Sequence, residues 1–467
     1  MALLRRSHLL VLLLLLPLSS PAPSRFTNPV TRVDTPDPGV VRFGDTFYMV
    51  TTGGASGFGA FPIRTSTDLV HWQRAGAIFP TEASLPAWSD GSAYWAPELH
   101  RIATNASGRP YRAYYTVRNA TGVLSIGVAT AAAPEGPYVD SGKALVLEDV
   151  GAIDATFFVD RFSGSADNGS PQYLIWKTDG NSVGEPCHIK IRRLDDDGTG
   201  FAAGSEAAML LTNDQPWEGM VTEAPWVIHH AGEYFLFYSG SSYADSEYAV
   251  GVARSASITG PYKKACAPIL SQYASDAKSA VRKFIGPGHC SVLTGDDLKG
   301  INLGGNSGMT NGTTASNVTV MVYHAWPSDS VDNAEAPFVE GREGRAVEGR
   351  VVLVDQVHWG ADGWPRVGEC SNPVTTAQPM PLSWSGSAER EDSGSRSGAG
   401  SSAAPSYDCL GMGRSYKMQT SQVSEDKQET LYAAGILCKR NLCFISYAST
   451  RPASTRDDCM GVNTTQH

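Results

Sequence analysis

Ser125-Ile126-Gly127-Val128-Ala129-Thr130 stands six positions before Gly136-Pro137-Tyr138, and the chain repeats this as Ala249-Val250-Gly251-Val252-Ala253-Arg254 six positions before Gly260-Pro261-Tyr262. Each run is apolar, β-branched at alternate positions and followed by a glycine–proline turn, which reads as a strand. Upstream of these copies lie aromatic-rich runs, Tyr111-Arg112-Ala113-Tyr114-Tyr115 and Tyr234-Phe235-Leu236-Phe237-Tyr238. Three more runs have the same texture: Thr46-Phe47-Tyr48-Met49-Val50, Gln172-Tyr173-Leu174-Ile175-Trp176 and Val318-Thr319-Val320-Met321-Val322-Tyr323. Each of the five units opens on a short strand marked by a polar residue: Asp37, Glu98, Asp154, Glu223 and His289, at intervals of 61, 56, 69 and 66 residues. Sheets repeated at this period over residues 26–370 predict an all-β fold, a five-bladed β-propeller. A β-sandwich turns every ~8–12 residues and offers no reason for the longer repeat.

A propeller gives the markers a common destination, because the innermost strand of each blade lines the axis. Three of them are carboxylates in similar settings: Asp37 in Thr35-Pro36-Asp37-Pro38-Gly39, Asp154 in Ile153-Asp154-Ala155-Thr156, and Glu223 in Thr222-Glu223-Ala224-Pro225-Trp226. An acid at the start of an apolar strand is costly unless several converge on one site. Convergent carboxylates in different environments are what acid/base chemistry on a glycosidic bond requires.

The net charge of −10 argues against a nucleic-acid partner and suits a neutral substrate. Arg5, Arg6 and the nearly unbroken leucine run Leu9 to Leu18 read as a secretory signal over residues 1–24. That run is about half the ~20 residues a membrane span needs, so the expectation is a secreted, extracellular chain with no span after signal removal. Secretion makes disulfides the expected use of some of the eight cysteines, whose pairing is not readable from spacing. It also makes some of the six Asn-x-Ser/Thr sites, Asn105, Asn119, Asn168, Asn311, Asn317 and Asn463, candidates for glycosylation. Residues 371–407 turn Ser- and Gly-rich and read as a linker, and 408–467 as a small Cys-containing or disordered tail.

The ordered motifs resemble the family-43 glycoside hydrolases. They are Asp34-Thr35-Pro36-Asp37-Pro38, Trp95-Ala96-Pro97-Glu98, Ile153-Asp154-Ala155, Thr222-Glu223-Ala224-Pro225-Trp226, Gly286-Pro287-Gly288-His289-Cys290-Ser291, Tyr323-His324-Ala325-Trp326, and Gly349-Arg350 with Trp359 beyond. The resemblance spans about residues 28–368 and implies a five-bladed propeller that hydrolyses O-glycosidic bonds with inversion. The implied substrates are arabinose- or xylose-containing polysaccharides or oligosaccharides, cleaved as by an α-L-arabinofuranosidase, arabinanase or β-xylosidase. It further implies Asp37 as general base, Glu223 as general acid and Asp154 as the carboxyl that orients the acid and raises its pKa. Arg350 falls on the sugar-binding arginine. His289 falls on an axial histidine that faces calcium or water; no cofactor is required, and a structural calcium ion in the channel is the option left open.

Residue chemistry agrees with that division. Pro225 and Trp226 offer Glu223 an apolar wall and Asp154 offers it a like charge, both of which keep a proton on an acid. Trp95 is read as a platform for a sugar face, against the alternative of core packing. Glu98 is read as structural and His324 as packed within the fifth blade. Two alternatives remain at this level: a catalytically silent glycan-binding propeller, and a relative active on galactan side chains.

Overall fold

The computed structural model describes residues 25–54, 59–102, 108–163, 170–272, 284–298, 318–328, 349–368 and 371–381, and the backbone of 436–439 and 442–445. The chain divides into two compact units, Met1–Asp408 and Cys409–His467. The first is a five-bladed β-propeller. Its blades are five four-stranded antiparallel sheets, each built from consecutive strands. The innermost strands are Gly39–Phe43, Trp95–Arg101, Ala152–Val159, Thr222–His230 and Phe284–Leu293. The five aromatic-rich runs are the second strands, and the two copied runs are the third strands of blades two and four.

The copied glycines have a packing reason. A Cβ on Gly127 would lie 2.5 Å from the Tyr115 ring, and one on Gly251 would lie 2.7 Å from the rings of Trp217 and Tyr238. The Gly-Pro-Tyr turns also match: Tyr138 donates its hydroxyl to the Pro134 carbonyl at 2.9 Å, and Tyr262 to the Ile258 carbonyl at 3.1 Å.

The core is a ring of five clusters, one between each pair of neighbouring blades. Phe61 and Tyr115 join blades one and two; Tyr114 and Trp176 join two and three; Ile175 and Leu236 join three and four; Phe237 and Met321 join four and five; Val320 and Phe47 join five and one. Both faces of a blade are therefore buried, so second strands read as continuous apolar runs rather than alternating ones.

The propeller runs past Cys370, where the sequence suggested a linker begins. Gln378–Pro379 pairs with the N-terminal strand Arg25–Phe26. Buried Asp355, in a blade-five strand, accepts hydrogen bonds from Asn28 Nδ2 (3.1 Å), Tyr323 Oη (2.5 Å), the Val374 amide (3.3 Å) and Gln378 Nε2 (2.9 Å). The texture change at Cys370 missed this because this segment is tied down largely by polar contacts to one buried carboxyl, which leave no apolar pattern in its own sequence. In the second unit, Ile436–Lys439 pairs antiparallel with Leu442–Ile445. The expected signal segment, the Ser/Gly-rich residues 383–407 and most of the tail lie outside the described residues. Cys187 and Cys290 are buried free thiols. Of the six glycosylation motifs only Asn119 is described, with its side-chain amide donating to Ser125 Oγ at 3.2 Å.

Candidate active site

Each innermost strand contains or follows one non-glycine residue in the left-handed region: Asp37 (φ 54°), Ala96 (φ 39°), Asp154 (φ 55°), Ala224 (φ 52°) and His289 (φ 48°). For a non-glycine residue this conformation costs roughly 1–2 kcal/mol, so five in register signal a shared constraint. In blades two to five they coincide with β-bulges in the pairing of the first and second strands. Four of the five offer their backbone N–H to a side chain of the preceding blade. The Asp37 amide donates to His324 Nδ1 (3.1 Å), Ala96 to Thr52 Oγ1 (2.7 Å), Ala224 to Asp154 Oδ2 (3.0 Å) and His289 to Ser239 Oγ (2.9 Å). The bulge turns the amide out of its own ladder, and the neighbouring blade takes it up.

This alignment corrects the five-marker reading. The residues in equivalent positions are Asp37, Ala96, Asp154, Ala224 and His289, so Glu223 lies one position before its blade's bulge residue and Glu98 two after. Glu98 does not join the acids. Its Oε2 accepts from Thr156 Oγ1 at 3.0 Å and pairs with His100 Nε2 at 2.7 Å, a contact between blades two and three.

Asp37 is gripped on both oxygens. Arg350 Nη1 lies 3.0 Å and His289 Nδ1 3.3 Å from Oδ1, and Thr52 Oγ1 donates to Oδ2 at 2.5 Å. Burial alone would raise its pKa, but the Arg350 guanidinium, then His289 and His324, hold it well below the usual carboxylate range. Burial drives His324 down to about 4, so its ring is neutral near pH 7. A neutral ring whose Nδ1 accepts the Asp37 amide cannot also donate from that atom to Oδ1, 3.3 Å away. The permanently charged partner of Asp37 is therefore Arg350, with His289 on the same oxygen. Arg350 is itself tied to the same loop: its amide donates to Asp34 Oδ1 at 2.8 Å, its carbonyl accepts from Thr35, and its guanidinium lies 4.7 Å over the Tyr243 ring.

Asp154 has the opposite setting. Burial pushes it up to about 7, against the pull of His289 and with the added repulsion of Glu223. Glu223, one residue before the Ala224 amide held by Asp154, accepts from Lys177 Nζ at 2.9 Å and from Tyr248 Oη at 2.8 Å. Of the two residues expected to wall it, Trp226 is engaged elsewhere. Trp226 packs into the core between blades four and five and donates Nε1 to the Val292 carbonyl at 2.9 Å. A bulge lies between Glu223 and Trp226 and breaks the regular alternation of the strand there. Trp95 stays 38% exposed, beside Ala96 and hence next to Thr52 and Asp37. It is the more accessible of the two tryptophans, Trp226 being buried.

His289 stands in the cluster, where the resemblance implied calcium or water. Calcium takes ~6–8 oxygen ligands, whereas His289 Nδ1 faces the Asp37 carboxylate. Among the described residues no group of three His, Cys, Asp or Glu side chains gathers as a metal site. No chemical role is assigned to a metal.

Four contributors escaped the sequence reading: Lys177, Tyr248, Thr52 and, as a site residue, His324. Lys177 left a signal, a lone cation closing the apolar strand Gln172–Thr178. His324 was expected within blade five; it is buried there and also reaches Asp37. Tyr248 leaves no pattern, because it enters from the loop before a third strand.

The sequence profile of Glycosyl hydrolases family 43 matches residues 26–365. The chain is 26% identical over 362 residues to an extracellular exo-α-(1→5)-L-arabinofuranosidase of Cellvibrio japonicus, covering 72% of this chain and 87% of that one. It is 27% identical over 276 residues to an extracellular endo-α-(1→5)-L-arabinanase of Bacillus subtilis, covering 56% and 78%. Among solved structures, a thermostable family-43 glycoside hydrolase superposes with a TM-score of 0.56 at 22% identity, covering 76% of this chain and 99% of that one, a likeness of fold.

Proposed function

The chain belongs to glycoside hydrolase family 43, and from that premise we propose that it cleaves arabinose- or xylose-containing polysaccharides or oligosaccharides with inversion of configuration. Inversion needs one ionised carboxylate to deprotonate water and one carboxyl to deliver a proton to the leaving oxygen. Asp37 is the base, Glu223 the acid, and Asp154 the carboxyl that orients and modulates the acid. The observation that carries this reading is the opposite tuning of the buried acids. Asp37 is held charged by Arg350, while Asp154, in the field of Glu223, keeps a proton toward neutral pH. This tuning separates the base, Asp37, from the proton-bearing neighbour of the acid, Asp154, which holds the Ala224 amide next to Glu223. Arg350 and Trp95 are the residues that meet the sugar, through hydroxyls and ring face respectively.

Relatives named for arabinofuranosidase and arabinanase activity favour arabinose-containing chains as the first substrates to test. Both are named extracellular, which with the leucine-rich N-terminus supports export, and with export disulfides and glycosylation. No helix among the described residues is long and apolar enough to cross a membrane.

A panel of arabinan, arabinoxylan, xylan, galactan and activated aryl glycosides tests the reading. Asp37→Asn should lower kcat on every cleaved substrate by about 10²–10⁴-fold. Glu223→Gln should do so on oligosaccharides, yet spare much of the rate on aryl glycosides whose leaving group needs no proton. Native rates in either variant, or a first-formed sugar of retained anomeric configuration by proton NMR, would refute the mechanism.

A further inference from the structure

Lys177 is a buried cation with no role in the mechanism above. Its side chain is 2% exposed, and Nζ lies 2.9 Å from Glu223 Oε2 and 3.2 Å from Asp179 Oδ1. The strand register explains the aim: Lys177 lies opposite Ile153 in the pairing of the first and second strands of blade three, beside Asp154. From blade three it reaches across to the acid of blade four. An ammonium removed from water is unfavourable unless paired, so this one is held by the carboxylates around it.

We propose that Lys177 is a positioning residue for the acid: it fixes the rotamer of Glu223, selects which oxygen carries the catalytic proton, and sets the pH at which that proton is lost. This rests on the reading of Glu223 as the acid. An ammonium has three donors and no lone pair, so it repels a proton on the oxygen it touches. That leaves Oε1 as the favoured proton-bearing atom. Its partner there, Tyr248 Oη at 2.8 Å, both donates and accepts, and so serves Glu223 in either protonation state. The Tyr248 ring is braced against Gly288, where an added Cβ would sit 2.0 Å from it.

The surrounding charges give the direction. Facing Lys177 are Glu223, Asp154, the Cys187 thiol and Asp179. Burial would depress the ammonium, but these groups, Glu223 first, raise it, so it stays charged through the working pH range. Facing Asp154 are His289, Glu223, Lys177 and Asp37. Facing Glu223 on its other oxygen is Tyr248. Lys177 therefore opposes protonation of the acid pair, counterbalancing the repulsion between its members. Asp179 in turn offsets Lys177.

Two substitutions should move the basic limb of the kcat/KM profile in opposite directions. The substrate must be an arabino- or xylo-oligosaccharide, because its leaving group requires the proton. Lys177→Met removes the cation, so the basic limb should rise by about one pH unit or more. Asp179→Asn leaves the cation less compensated, so the limb should fall. Lys177→Arg should restore the native limb. If Lys177→Met does not fold, the fall in Asp179→Asn decides the matter. Native basic limbs in the variants that fold, with only general losses of rate, would reduce Lys177 to a structural residue and overturn the inference. Glu223→Gln separates the two failures: it should abolish the basic limb, and if it keeps that limb the acid assignment itself is wrong.

Discussion

The guanidinium of Arg350 touches Asp37 at 3.0 Å and does more than wait for a sugar hydroxyl. It is the leading favourable influence that overrides burial and keeps the base ionised. A base must be deprotonated to act, so activity is lost as pH falls through its pKa. Replacing Arg350 with Met should raise that pKa and move the acidic limb of kcat/KM upward by about one unit or more, alongside a higher KM. An unmoved acidic limb in a pH–rate series would show that His289 and Thr52 suffice. At this scale the sequence was informative about residue type and silent about partners. Asp37, Asp154, Glu223, His289 and Arg350 stood in ordered motifs, whereas the donors to the acids, Lys177 and Tyr248, came from a strand end and a loop with no motif of their own. The apolar wall assigned to Trp226 failed for a related reason, since a bulge between Glu223 and Trp226 breaks the alternation on which neighbour arguments rest.

At the scale of the element, the bulged inner strand is the recurring device. It costs each blade one strained residue, and the preceding blade takes up the exposed amide in four of five cases. Close approach is part of the same device. A Cβ on Gly288, in the inner strand of blade five, would lie 2.0 Å from Tyr248, and one on Gly39 would lie 2.4 Å from the Pro97 carbonyl. Gly288→Ala should lower the melting temperature, at an overpacking cost of about 1–3 kcal/mol. It should also lower kcat on oligosaccharides, because the displaced ring carries the hydroxyl that holds Glu223. A melting curve and a rate on the same sample check both, and a stable variant with native kcat would mean that Tyr248 is dispensable. The sequence displayed the strands through their composition, and it displayed the period through the copied runs. It did not display the bulges, which is why Glu98 was aligned with residues whose true equivalent is Ala96.

For the whole molecule, the question is how the ring is closed. Blade five packs on blade one through apolar residues such as Val320 and Phe47. A polar clasp adds to this, with Asp355 joining Asn28 near the N-terminus to Val374 and Gln378 beyond blade five. Burial pushes Asp355 up to about 7 from an ordinary 3.8. A folded-state pKa above the unfolded one favours folding fully below the unfolded value, and that contribution is lost as pH rises through the folded value. Asp154 acts in the same direction. Each of these two carboxyls should therefore lose its contribution from about pH 4 to about pH 7, while His324, held neutral by burial, acts in the opposite sense over much of that range. Asp355→Asn should lower the melting temperature at pH 5 relative to that at pH 8 by a few degrees. An unchanged difference would place the pH dependence on other groups. By itself the sequence determined the strands, their fivefold repeat and the residues that head the inner strands, because β-propensity, turn chemistry and period are local properties of a chain. Only the tertiary structure decided which of those residues meet, which carboxyl is held charged and which keeps a proton. Those outcomes depend on burial and on charges brought from other blades, and no stretch of sequence contains them.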